Sequence, residues 1–132
     1  MTNYKIVVAD DHLLMSDGLS MLVTDNNLGT VVAKAQNGKQ LLEILNSHKI
    51  DMILIDVDMP LVDRLKAAEI IRSRYPSIKI LVVTQHNSIE LMKKFELLGV
   101  EGYLLKSCDR MQLIEAIQKI KGGEKDFPFL QI

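Results

Sequence analysis

A single cysteine, Cys108, in 132 residues rules out an internal disulfide. The three histidines, His12, His48 and His86, are scattered along the chain, and neither they nor the cysteine offer zinc-ligand spacing. No apolar run approaches the roughly 20 residues of a membrane-spanning helix, although 48% of residues are hydrophobic. Met1-Thr2-Asn3-Tyr4-Lys5 carries no signal-peptide pattern, so a cytoplasmic protein with no membrane partner is expected. A formal net charge of −1 gives no general attraction to nucleic acid, and any DNA binding would need another segment. The length suits one domain that buries its own core.

What is present is an alternation. Short apolar runs and longer amphipathic stretches follow one another five times, separated by turn residues, which reads as (βα)₅. Strands are expected near Lys5 to Ala9, Val31 to Ala35, Met52 to Ile55, Lys79 to Thr84 and Gly102 to Leu105. Helices are expected near Leu13 to Thr24, Gly38 to Ser47, Leu65 to Tyr75, Ser88 to Leu98 and Asp109 to Lys121. Runs 1, 3 and 4 are apolar at nearly every position, as strands covered on both faces are, while the weaker second run suits an edge. In the last helix Leu113, Ile114, Ile117 and Ile120 share one face; Asp109 and Gln112 resemble a capping pair, and Gly122-Gly123 a stop. Asn87 and Glu90 suggest a similar start for the fourth helix. Beyond Gly123, Phe127 and Phe129 would be out of place in a tail unless they dock on something.

Five polar residues stand where these runs end: Asp10, Asp11, Asp56, Thr84 and Lys106. In an open α/β sheet the carboxyl ends of parallel strands form the binding crevice, so three carboxylates, a hydroxyl and an ammonium would meet there. Carboxylates about 4 Å apart repel by roughly 4 kcal/mol at an effective dielectric near 20, and a bound cation reverses that sign. Hard oxygen donors suit Mg²⁺ or Mn²⁺ better than zinc. Asp56 is the expected nucleophile, since a carboxylate accepts a phosphoryl group as a mixed anhydride; Lys106 and Thr84 would contact the phosphoryl oxygens. Singly, each residue has a plainer explanation, as a turn, a cap, a strand residue or a solvated lysine. Their joint placement carries the reading.

Asp10-Asp11, Asp56 followed by Met59-Pro60, Thr84, and Gly102-Tyr103-Leu104-Leu105-Lys106 resemble the receiver domain of two-component response regulators over nearly the whole chain. Val7-Val8-Ala9-Asp10-Asp11-His12 and the stretch ending in Lys106-Ser107 look most like receivers that precede a LuxR-type (NarL/FixJ) helix-turn-helix. The resemblance implies a flavodoxin-like, doubly wound sheet of order 2-1-3-4-5. It implies phosphorylation of Asp56 by a sensor histidine kinase, with Mg²⁺ or Mn²⁺ held by Asp10, Asp11, Asp56 and the main-chain carbonyl of Asp58. Thr84 and Lys106 would bind the phosphoryl group, and Tyr103 would be the switch aromatic; a half-buried strand tyrosine is the plainer alternative. The output surface would be helix 4, strand 5 and helix 5, available for homodimerisation or an output domain. Residues 1–123 would be the receiver and residues 124–132 a tail or the start of a linker to a DNA-binding domain absent from this chain.

Several positions depart from the family pattern. Arg64 replaces a usual glycine, and Gln85 replaces a small residue beside Thr84, which would slow small phosphodonors. Phe95 and Leu98 stand where alanine is common, either filling the core or widening an apolar face. Asp58, Gln85 and His86 surround the expected acceptor and would tune its rates: a carboxylate at Asp58 repels hydroxide, and a protonated His86 offsets it. The competing readings are a small Mg²⁺-dependent phosphohydrolase and a degenerate receiver that binds a protein constitutively. A once-labelled switch, rather than a turnover enzyme, is the reading preferred.

Overall fold

A computed structural model describes residues 3–59, 63 and 65–127. Five parallel strands form one sheet in the order β2-β1-β3-β4-β5: β1 Lys5–Ala9, β2 Thr30–Ala35, β3 Met52–Ile55, β4 Lys79–Thr84 and β5 Gly102–Leu105. The helices between and after them are α1 Leu13–Asp25, α2 Gly38–Ser47, α3 Lys66–Arg74, α4 Ile89–Leu97 and α5 Arg110–Lys121. The expected doubly wound architecture and strand order are therefore present.

Strand periodicity explains the two layers. Along β1, β3 and β4 successive side chains point to opposite faces. Val7, Ala9, Ile53, Ile55, Ile80 and Val82 join one core with Leu41, Ile71, Met92 and Phe95. Ile6, Val8, Met52, Leu54, Leu81 and Val83 join the other with Leu19, Val23, Ile117 and Ile120. Helices α2, α3 and α4 thus cover one face, and α1 and α5 the other. The edge position of β2 accounts for its weaker apolar run, which is only partly buried until Ala35.

Helix ends largely follow local side-chain chemistry. Asp109 and Gln112 form a reciprocal capping box on α5, as expected, and Gly123 takes a positive φ of 93° behind it. The start of α4 differs from the expected Asn87–Glu90 pair. Ser88, held extended after its N–H bonds to the His86 carbonyl, is the cap and accepts from the Leu91 N–H at 3.0 Å; Asn87 is exposed one residue upstream. Phe95 resolves into the core, with its ring 6.1 Å from that of Tyr103, and Leu98 packs partly against the same cluster; the exposed large apolar residues of that helix are Ile89 and Leu97. Arg64, Pro60 and Phe129 lie outside the described residues.

Beyond Gly123 the chain turns back along β5. Asp126 forms a parallel bridge with Gly102, and Phe127 is buried in the same cluster as Tyr103 and Phe95. The docking foreseen for Phe127 is onto this domain's own core.

Candidate functional site

Main-chain bonds of the sheet fix the site residues before any side chain acts. The Asp10 N–H donates to the Ala35 carbonyl at 2.9 Å, that of Asp56 to Ala9 at 2.8 Å, and that of Lys106 to Thr84 at 2.7 Å. Each residue is the first beyond its strand, so the ladder ends by aiming three charged side chains at one crevice. Asp10 and Asp56 are buried, each only 2% exposed.

Lys106 lies between them. Its Nζ is 2.9 Å from Asp56 Oδ2 and 3.1 Å from Asp10 Oδ2. Burial alone would lower the ammonium's pKa, but hydrogen bonds to Asp56 and Asp10, and their charges, hold it above its ordinary value. The other Asp56 oxygen, Oδ1, accepts the Asp58 N–H at 3.1 Å. Asp56 is thereby oriented through both oxygens, the arrangement a positioned nucleophile requires.

His12, given no role in the site by sequence pattern alone, joins this group. His12 Nδ1 stands 3.1 Å from Asp10 Oδ1, 3.3 Å from Asp11 Oδ1 and 3.9 Å from Asp56 Oδ2. Asp10, Asp11, His12 and Asp56 each offer one ligand atom, all within 4.8 Å of one another. Three carboxylates with partial compensation by one lysine form a donor set that fits a hard divalent cation. The available signal for His12 was its place directly after the aspartate pair, at the mouth of α1.

The remaining candidates form a second tier around the crevice. Thr84 is buried, and its Oγ1 accepts the His86 N–H at 3.2 Å. The His86 ring meets Asp58, with Nε2 2.5 Å from Oδ2, and the His86 carbonyl accepts the Tyr103 hydroxyl at 2.7 Å. Tyr103 is fully buried, not half-exposed, with its hydroxyl turned towards the site end of β4. Gln85 is exposed and, with His12 and Lys106, lines a shallow depression beside α1.

This fold and this acidic strand-end crevice define an α/β domain with the architecture of a signalling receiver. A family model for the response regulator receiver domain matches residues 6–118, and the chain belongs to that family. It is 33% identical over 119 residues to the transcriptional regulatory protein DegU of Brevibacillus brevis, covering 90% of this chain and 50% of that protein. It is 35% identical over 121 residues to the oxygen regulatory protein NreC of Staphylococcus aureus, covering 91% and 56% respectively. The receiver domain of the putative response regulator NarL from Mycobacterium tuberculosis superposes with a TM-score of 0.86 at 27% identity, covering 94% of this chain and all of that one. The isolated receiver of RcsB from Salmonella enterica serovar Typhimurium shares the fold, with a TM-score of 0.90 at 24% identity over 96% of this chain and 94% of that one. These relatives are regulators of the LuxR/NarL type, as the sequence motifs suggested. The chain spans about half the length of the curated relatives it matches. Among the described residues no helix is long and apolar enough to cross a membrane.

Proposed function

We propose that this receiver accepts a phosphoryl group on Asp56 from a sensor histidine kinase and acts as a switch for transcriptional output through a DNA-binding domain outside this chain. The observation that carries the reading is the buried Asp56 carboxylate, held at Oδ1 by the Asp58 N–H and at Oδ2 by Lys106, beside Asp10 and Asp11. In the transfer, an Asp56 oxygen forms the new bond to phosphorus. The bond from phosphorus to the donor's imidazole nitrogen breaks, and its electron pair returns to that nitrogen.

Asp10, Asp11, Asp56 and the main-chain carbonyl of Asp58 would hold Mg²⁺ or Mn²⁺. That ion, when bound, neutralises charge between an anionic acceptor and an anionic donor. Lys106 supplies a fixed positive charge against a phosphoryl oxygen. Thr84 supplies a hydroxyl proton, which the bond its oxygen accepts from the His86 N–H leaves available to donate. The added charge and acceptor oxygens bias Thr84 and Tyr103 and so alter the face formed by α4, β5 and α5, where a second copy or an output domain would bind. The relatives' names as transcriptional regulators support the output assignment. One phosphoryl group per molecule, not steady turnover, is the expected behaviour.

Incubation with Mg²⁺ and acetyl phosphate, read by intact mass, tests the reading. The wild type should gain one phosphoryl group, and Asp56→Asn none. Beryllofluoride with Mg²⁺ should shift amide resonances at the strand ends of the wild type only. A wild type that shows neither response is not a phosphoacceptor.

A further inference from the structure

The segment after α5 is joined to the acidic crevice by an unbroken series of polar contacts. Asp56 Oδ1 accepts the Asp58 N–H, and the Asp58 carboxylate meets the His86 ring. The His86 carbonyl accepts the Tyr103 hydroxyl at 2.7 Å. At the other end of the same residue, the Tyr103 N–H donates to the Asp126 carbonyl at 3.1 Å. Tyr103 is thus bonded through its side chain to the loop after β4 and through its backbone to the chain that leaves the domain.

Docking of residues 124–127 has the marks of a built contact. The Asp126 N–H donates to the Glu101 carbonyl at 2.9 Å, so Asp126 pairs with the β5 edge in both directions. Phe127 is 6% exposed and lies in the apolar cluster that holds Tyr103 and Phe95. Gly102 permits the approach: a Cβ there would stand 3.1 Å from the Asp126 carbonyl and under 3.0 Å from Leu81 and Ile120. An unpaired β5 edge would otherwise be open to pairing with another chain.

We propose that residues 124–127 are a latch on the β5 edge whose hold depends on the position of Tyr103, so that occupation of Asp56 changes the path of the chain leaving the receiver. The latch rests on the phosphoacceptor reading, because Tyr103 needs a cause to move. A displacement of its ring repacks the apolar cluster that buries Phe127, and the strand backbone that carries this ring is the one bonded to Asp126. Both halves of the latch then respond to one event. Coupling of this kind is reciprocal: if occupation of Asp56 loosens the segment, a loosened segment favours occupation by the same factor.

Amide exchange by NMR on the whole chain, with and without Mg²⁺ and beryllofluoride, tests it. Strand-end resonances should shift, and protection of the Tyr103 and Asp126 amides should change at least tenfold. Phe127→Ala should keep the strand-end response and change the apparent beryllofluoride affinity threefold or more. Shifts confined to the strand ends, with Tyr103 and Asp126 protection unaltered, overturn the latch alone. No response anywhere overturns the phosphoacceptor reading and the latch with it. Since the exchange measurement uses the wild type, it stands even if Phe127→Ala does not fold.

Discussion

Lys106 Nζ and Asp56 Oδ2, fifty residues apart in the chain, meet at 2.9 Å in the crevice, with Asp10 Oδ2 at 3.1 Å from the same nitrogen. Removing the ammonium leaves two buried carboxylates facing each other. Lys106→Met should therefore destabilise the metal-free domain by about 1–3 kcal/mol, less than the 3–5 kcal/mol of a fully enclosed pair because the lysine keeps some water contact. Mg²⁺ should restore much of the loss, which thermal melts with and without the ion will show. The wild-type pair also has a signed pH dependence. The folded pKa of Lys106 is raised, so its stabilisation is complete across neutral pH and is lost as pH climbs through that raised value, beyond lysine's ordinary range.

His12 faces the same oxygens that a divalent ion would need. Its ring is mostly exposed, so its hold on Asp10 and Asp11 is worth at most about 1 kcal/mol. His12→Ala should accordingly raise apparent Mg²⁺ affinity by up to roughly fivefold, the equivalent of that energy. Titration of thermal stability against Mg²⁺ measures it. Weaker Mg²⁺ binding in the variant would mean that the imidazole assists the ion instead of competing with it.

Strand periodicity and strand ends were legible because they obey short-range rules. Lys5–Ala9, Met52–Ile55, Lys79–Thr84 and Gly102–Leu105 are strands with the bounds that their apolar runs suggested. The meeting of Asp10, Asp56 and Lys106 followed from their register at one sheet edge. His12 and Phe127 were less legible, since each acts through a contact set by tertiary packing and not by spacing in the chain. Tyr103 shows the same limit. A strand aromatic next to a crevice can face either way, and the choice is made by the His86 carbonyl and the space around Phe95. Which of Asn87 and Ser88 caps α4 likewise depended on the turn made by His86.

Phe95 occupies the core, so Tyr103 has a large aromatic neighbour. Phe95→Ala should lower stability by about 3–5 kcal/mol through loss of burial and the cavity left behind. Denaturant melts should show a lower midpoint with little change in slope. A loss under 1 kcal/mol would mean that Tyr103 and Leu98 collapse into the space.

His86 and Asp58 join the loops after β4 and β3, and their side chains meet while their backbones touch Thr84 and Asp56. The pair is a bridge across the side of the crevice, and each partner compensates the other's polarity. Breaking it by either Asp58→Asn or His86→Ala should open the approach to Asp56. Both acetyl phosphate labelling and loss of the phosphoryl group should then quicken by a few fold. Because the two side chains act as a unit, the double variant should be little faster than either single one, a coupling of about 1 kcal/mol on the ~0.5–3 kcal/mol scale of contacting residues. Decay followed by intact mass for the four proteins supplies the cycle. Multiplicative effects of the two substitutions would show that Asp58 and His86 set the rates independently, leaving electrostatic repulsion of hydroxide by Asp58 as the governing term.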